Sequence, residues 1–180
     1  MTNLIIVESR NDQYFIEALA RRVSKENKVI SIHQYSYCSA DRKSLIEAIS
    51  PRLADAEKEG TSKIGIILDQ DTSTKIDRMN MINDALKDSF DICEFLPPLN
   101  LLSDTSQFVK NLIGEQQDYE ISISCFFTNI DGKGELETVL KAIKTQDSPY
   151  ADCLEGGWLE CLKSKGKKLG KSGESCDITD

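Results

Sequence analysis

The sequence predicts an α/β protein with a mainly parallel central sheet flanked by helices. Leu4-Ile5-Ile6-Val7 and Ile64-Gly65-Ile66-Ile67-Leu68 are near-continuous apolar runs, the pattern of strands buried on both faces, as parallel strands are. Between and after them stand stretches whose apolar residues recur every three or four positions, the period of a helix packed on one side. Strands alternating with helices are the signature of crossover-linked parallel strands. With 180 residues the chain has the length of one sizeable domain, which buries roughly 70% of its unfolded surface without a covalent staple.

The first strand is Leu4–Val7. Asn11 or Asp12 opens a helix whose apolar face is Phe15, Ile16, Leu19, Ala20 and Val23, and Lys28–Ile32 is the second strand. Asp41, a favourable cap residue, starts a helix carrying Leu45, Ile46 and Ile49. Ser50-Pro51 is expected to kink or end that helix before Arg52–Glu57, and Gly60 closes the region. After the third strand, Ile64–Leu68, the Lys75–Lys87 segment forms an amphipathic helix on Ile76, Met79, Ile82, Ala85 and Leu86. Ile92–Leu96 reads as a strand ended by Pro97-Pro98, and Ile121–Phe127 as another. Asp131-Gly132-Lys133-Gly134 reads as a turn and Glu135–Ile143 as the start of a helix. No internal repeat is present. The expected organisation is an α/β domain over residues 1–145 and a basic, partly flexible extension over 146–180. In that extension Lys163, Lys165, Lys167, Lys168 and Lys171 stand among Gly and Ser, with too little apolar surface to order the segment unaided.

Charge and cysteine usage narrow the function classes. The 22 Lys and Arg face 30 Asp and Glu, a net charge of −8, which argues against coating nucleic acid by bulk charge. An enzyme that holds cations against phosphates is compatible with it, because a bound metal inverts the local field. The six cysteines form no CxxC pair and His33 is the one histidine, so a zinc site is not expected. The cysteines read as reduced thiols. The N-terminal Met-Thr-Asn runs directly into a strand with no basic, apolar leader, so the expected address is the cytoplasm. No apolar run is long enough to span a bilayer.

Ligands of open parallel sheets bind outside the carboxyl ends of the strands, and acidic residues fall there. Glu8 follows the first strand; Asp69 and Asp71 follow the third as Leu68-Asp69-Gln70-Asp71. Asp12, four residues beyond Glu8, faces the same way on an incipient helix. Clustered carboxylates stay ionised together only beside a cation or strong donors, and hard oxygen ligands suit Mg²⁺ or Mn²⁺. Glu135 and Glu137 follow a later strand and diverge on a helix, so one of them is expected to point inward; Lys133 is the nearest candidate cation for a developing negative charge. Taken singly, each acid is also what a helix cap or solvated loop looks like. His33 reads as a polar strand-end residue and Trp158 as a packing anchor. Ser9 and Cys38 lack the nearby base of a nucleophile. No GxxxxGK[ST] phosphate loop is present.

Leu4-Ile5-Ile6-Val7-Glu8-Ser9-Arg10-Asn11-Asp12 resembles the first motif of Toprim domains, in which an apolar strand ends in Val-Glu-Gly, followed shortly by Asp. Ile64–Asp71 resembles their DxD motif. Gly134-Glu135-Leu136-Glu137 resembles the Gly-x-Leu-Glu of small Toprim-like proteins related to nucleases of the OLD (overcoming lysogenisation defect) class. The resemblance spans residues 1–145 and implies a compact Rossmann-like Toprim fold with a Mg²⁺ (or Mn²⁺) site for phosphoryl transfer. By it, Glu8 is a metal ligand or general acid/base, Asp69 and Asp71 bind the metal, and Asp12 and Glu137 complete a second metal position. Ser9 departs from the family's glycine. The family's late lysine has only Lys168 and Lys171 as candidates. Full nucleases of this class carry an ATPase domain, so an ATPase or other protein partner is an expectation here. The function expected from the resemblance is a metal-dependent nuclease acting on nucleic-acid phosphodiesters. The alternative is a catalytically silent module that binds nucleotide or a partner protein. A receiver-like phosphoacceptor domain fits less well, because only Glu8 sits directly after the first strand, where that fold needs an acidic pair.

Overall fold

The computed structural model describes residues 2–23, 27–33, 39–97, 99–105, 107–114, 116, 118–129 and 134. The chain divides into two units, Met1–Val139 and Leu140–Asp180, and the described residues all belong to the first. Five strands form one sheet: β1 (Thr2–Val7), β2 (Lys28–Ser31), β3 (Thr61–Asp69), β4 (Val109–Ile113) and β5 (Tyr119–Thr128), in the order β2-β1-β3-β5-β4. The first four in that order are mutually parallel, and β4 runs antiparallel at the edge against β5. Four helices complete the described unit: α1 (Arg10–Arg22), α2 (Arg42–Ala54), the short α3 (Ala56–Glu59) and α4 (Lys75–Ile92). This is a Rossmann-like α/β fold.

Strand register aligns the carboxyl ends at one rim. Val7 pairs with Ser31 and with Ile67, and Asp69 pairs with Thr128. The crossover through α1 leads outward from β1 to β2, whereas those through α2 and α4 lead the other way. Right-handed crossings therefore put α2 and α4 on one face and α1 on the other. Under α2 and α4, alternate strand residues Leu4, Ile6, Ile64, Ile66, Leu68, Ile121, Ile123, Cys125 and Phe127 meet Leu45, Ile49, Leu53, Ile82 and Leu86 in one core. The opposite strand positions are less covered, and Phe126 is 53% exposed.

Several expectations need correction. Of the kink or break expected at Ser50-Pro51, the break does not occur there: Pro51 lies inside α2, which continues to Ala54. A mid-helix proline costs about 3 kcal/mol, but Leu45, Ile49 and Leu53 are all fully buried on the same face, and that packing holds the helix through the proline. The break comes at Asp55, and Gly60, at φ +67°, ends α3. Ile92–Leu96 is not a strand: α4 runs on to Ile92 and closes in a Schellman turn. There the Glu94 amide donates to the Asp91 carbonyl (3.1 Å) and the Phe95 amide to the Phe90 carbonyl (3.0 Å). Glu94 takes the left-handed position at φ +56°, and the Phe90 and Phe95 rings meet edge to face at 5.5 Å. Ile76, assigned to the apolar stripe of α4, is exposed, while Met79, Ile82, Ala85 and Leu86 are buried.

On α1 only Ala20 of the expected apolar face is buried; Leu19 and Val23 are exposed. A thirteen-residue helix is about 20 Å long and the four-residue strand β2 beside it about 13 Å, so β2 is too short to cover the whole of α1. Strand β4 was not anticipated from sequence. It forms a hairpin with β5 whose loop contains Gly114 at φ +90°.

Candidate active site at the carboxyl rim

Glu8 leaves β1 where the chain turns into α1. The turn is set by Ser9, the N-cap of α1, which forms a reciprocal capping box with Asp12. The Ser9 amide and hydroxyl both donate to Asp12 Oδ2, at 2.8 and 2.7 Å, and the Asp12 amide donates to Ser9 Oγ at 3.3 Å. Asp12 is thus buried in a helix-capping role, satisfying donors that the first turn leaves open. The helix therefore begins at Arg10, ahead of the Asn11 or Asp12 start that the pattern suggested.

The Glu8 side chain, 4% exposed, ties three elements together. Its Oε1 accepts from the Ala40 amide before α2 (2.8 Å), and its Oε2 accepts from the Asp69 amide at the end of β3 (2.9 Å). Its main-chain carbonyl accepts from the His33 amide just beyond β2 (2.9 Å). Burial pushes the Glu8 carboxyl above its ordinary range. The Asp69 and Ala40 amides and the Arg78 charge act against that shift, and Asp71 adds to it.

Asp69 sits on the last residue of β3, and the Thr128 hydroxyl of β5 donates to its Oδ1. Asp71 stands two residues on, at φ +52°, a left-handed conformation that Asp tolerates better than most residues. Its amide donates to the Gly134 carbonyl at 3.0 Å, and Gly134 returns a bond at 3.3 Å. Asp71 Oδ2 accepts from Arg78 Nη2 and from the Ser39 hydroxyl (2.8 Å). Arg78 extends from the first turns of α4, only 5% exposed, and its Nη1 donates to the Ala40 carbonyl at 3.1 Å.

The structure therefore brings Glu8, Asp69 and Asp71 to adjacent strand ends and adds a buried guanidinium, that of Arg78, on Asp71. Among the described residues, no three His, Cys, Asp or Glu side chains form a group able to hold one ion. The donor set still fits Mg²⁺ or Mn²⁺ in its usual protein form, one or two carboxylates completed by water and substrate phosphate. Glu8 and Asp69 would be the protein's ligands in such a site. Each Glu8 oxygen accepts one amide and keeps a second lone pair. Lys133, Glu135 and Glu137 lie outside the described residues, as do Lys168, Lys171 and Trp158. His33 stands at the rim beside Glu8, with its Nε2 buried and no hydrogen-bond partner among the described residues.

Arg78, Ser39 and Thr128 are side-chain partners of these carboxylates that the sequence reading missed. For Arg78 a signal existed: with Ile82, Ala85 and Ser89 it falls at i, i+4, i+7 and i+11, the buried face of α4. A charged residue on that face needs a partner, and Asp71 is seven residues before it.

The family described as "Protein of unknown function (DUF3226)" matches the chain over residues 2–172. No curated protein and no solved structure matches the chain.

Proposed function

The chain belongs to that DUF3226 family, and we propose that it is a divalent-cation-dependent phosphoryl-transfer enzyme, a nuclease acting on nucleic-acid phosphodiesters in the cytoplasm. One observation carries the reading. The Glu8 carboxylate accepts from amides at the start of α2 and the end of β3, so Glu8, Asp69 and Asp71 gather at the strand ends where parallel sheets bind ligands. The Toprim-like order of Val-Glu and DxD motifs supports the same reading.

In this proposal the chemistry supplied by a bound Mg²⁺ or Mn²⁺ is polarisation of a phosphoryl oxygen and steadying of the leaving oxygen. Glu8 and Asp69 hold the ion. Thr128 fixes the Asp69 carboxylate through its hydroxyl. Where Glu8 does not hold the ion, its carboxyl, raised by burial, is suited instead to hold a proton as general acid or base. Asp12 contributes by fixing the turn that carries Glu8, and Lys133 and Glu137 stay in the proposal on their sequence positions alone. The test is cleavage of single- and double-stranded DNA and RNA with Mg²⁺ or Mn²⁺, comparing the wild type with Asp69→Ala. Activity abolished by EDTA and by the substitution is expected; cleavage indifferent to both overturns the site.

One observation favours a second reading. Arg78 already neutralises Asp71, as it would in a catalytically silent module that binds nucleotide or a partner protein, an ATPase among the candidates. A folded protein with no calorimetric Mg²⁺ or Mn²⁺ affinity under any condition would select that reading.

A further inference from the structure

The geometry points to Arg78 as a built-in counter-ion that a phosphate group draws off Asp71, so that phosphate and a divalent cation bind at this rim with positive coupling. The inference deepens the proposed function and rests on its metal site.

Among the described residues, the Glu8 and Asp71 carboxylates share the field of the Arg78 guanidinium at the rim. A phosphate arriving alone meets an excess of negative charge. A divalent cation arriving alone meets an Asp71 whose Oδ2 is already held by Arg78 and by Ser39. Each ligand is therefore opposed by what the other removes. A phosphate oxygen competes with Asp71 for the guanidinium, and the carboxylate it releases becomes available to the cation.

Arg78 is placed for this exchange. Its side chain is 6% exposed and lies at the site, with Nη2 on Asp71 and Nη1 on the Ala40 carbonyl. Its Nε is buried with no hydrogen-bond acceptor among the described residues. A buried, charged donor without an acceptor is costly, and an oxyanion is the natural partner of a guanidinium fork. Asp71 is the more exposed half of the pair, at 24% for its side chain. Its carboxylate can turn toward solvent or a cation while Arg78 stays anchored on Ala40.

Linkage makes the coupling reciprocal. If phosphate tightens Mg²⁺ binding, Mg²⁺ tightens phosphate binding by the same factor, and coupling of this kind is on the order of 5–150-fold. Both a free phosphate and the backbone of a polynucleotide offer the same oxyanion, so both serve as probes.

The experiment is calorimetric titration of the full chain with Mg²⁺ at constant ionic strength, in chloride, in inorganic phosphate, and with a short oligothymidylate lacking terminal phosphates. Wild-type Mg²⁺ affinity is expected to rise about 5–150-fold with at least one phosphate source, and the arm that responds identifies which. In Arg78→Gln the Mg²⁺ affinity in chloride is expected to exceed the wild-type value and the gain from phosphate to vanish. Asp71→Asn, which keeps Arg78 but removes its charged partner, is expected to bind phosphate without Mg²⁺ more tightly than the wild type does. Equal Mg²⁺ affinities in all three wild-type arms overturn the coupling and leave the metal site standing. Undiminished coupling in a folded Arg78→Gln overturns the role of Arg78. No Mg²⁺ binding in any arm overturns the metal site and this inference together.

Discussion

Glu8 is where local chemistry and the proposed activity meet. Its two oxygens satisfy two backbone amides, and a buried donor left without an acceptor costs about 1–3 kcal/mol. Glu8→Ala is therefore expected to lower the unfolding free energy in urea by a few kcal/mol, on the same order as that cost; an unchanged midpoint contradicts the tie. The pH dependence has a definite sign. The folded carboxyl is raised above its ordinary value of 4.5, so the Glu8 contribution is most favourable below that value and is lost as the pH rises through the folded one. Asp41 acts oppositely. The Ser44 amide lowers its carboxyl from an ordinary 3.8, so its contribution is present above that value and is lost as the pH falls through the folded one. Glu8→Gln is expected to remove the decline in stability on raising the pH above about 4.5, as read from urea midpoints across a pH series. A decline of unchanged size places its origin elsewhere. Cys125 is a further residue-scale case: burial pushes its thiol up to about 11, so iodoacetamide at pH 8 is expected to leave it unlabelled in the native protein while labelling it in urea.

At the scale of elements, the strands were legible wherever burial made them continuous. Ile64–Leu68 sits within β3 and Leu4–Val7 within β1 because parallel central strands carry apolar residues on both faces. Strand β4 escaped notice because an edge strand alternates weakly: in Val-Lys-Asn-Leu-Ile only Asn111 and Ile113 are buried. The supposed strand at Ile92–Leu96 failed for the converse reason. Its apolar residues belong to a helix end and its cap, where Phe90 and Phe95 make the hydrophobic contact of a Schellman turn. Glu94 holds the left-handed position there, which costs a non-glycine residue roughly 1–2 kcal/mol. Glu94→Gly is therefore expected to stabilise the protein by about 1 kcal/mol and raise Tm by about 2–4 °C. A lower Tm contradicts this account of the helix end. At Ser9 the side chain, rather than the backbone alone, sets the turn after β1. The hydroxyl caps α1, and Ser9→Ala is expected to cost about 1 kcal/mol in unfolding experiments, against a few tenths for Ser9→Gly.

For the molecule as a whole, fold and site were legible to different depths. The parallel α/β architecture followed from alternating patterns, and so did the placing of Glu8, Asp69 and Asp71 at one rim, because parallel strands put all their carboxyl ends on the same side. What the spacing of acids did not reveal was their existing compensation. Arg78 lies on the following helix, seven residues after Asp71, and its trace in the sequence is a charge on the buried face of α4. The same limit applies to Asp12, whose capping role depends on the Ser9 geometry. Among the described residues no helix is long and apolar enough to cross a membrane.

The most direct measurement is the anomalous difference density of a crystal soaked in Mn²⁺ together with phosphate. A peak about 2.0–2.3 Å from oxygens of Glu8 and Asp69 is predicted, with a phosphate oxygen on Arg78 and the Asp71 carboxylate turned away from it. A rim without a peak, and Arg78 still paired with Asp71, would contradict the reading of these strand ends as a metal-dependent site.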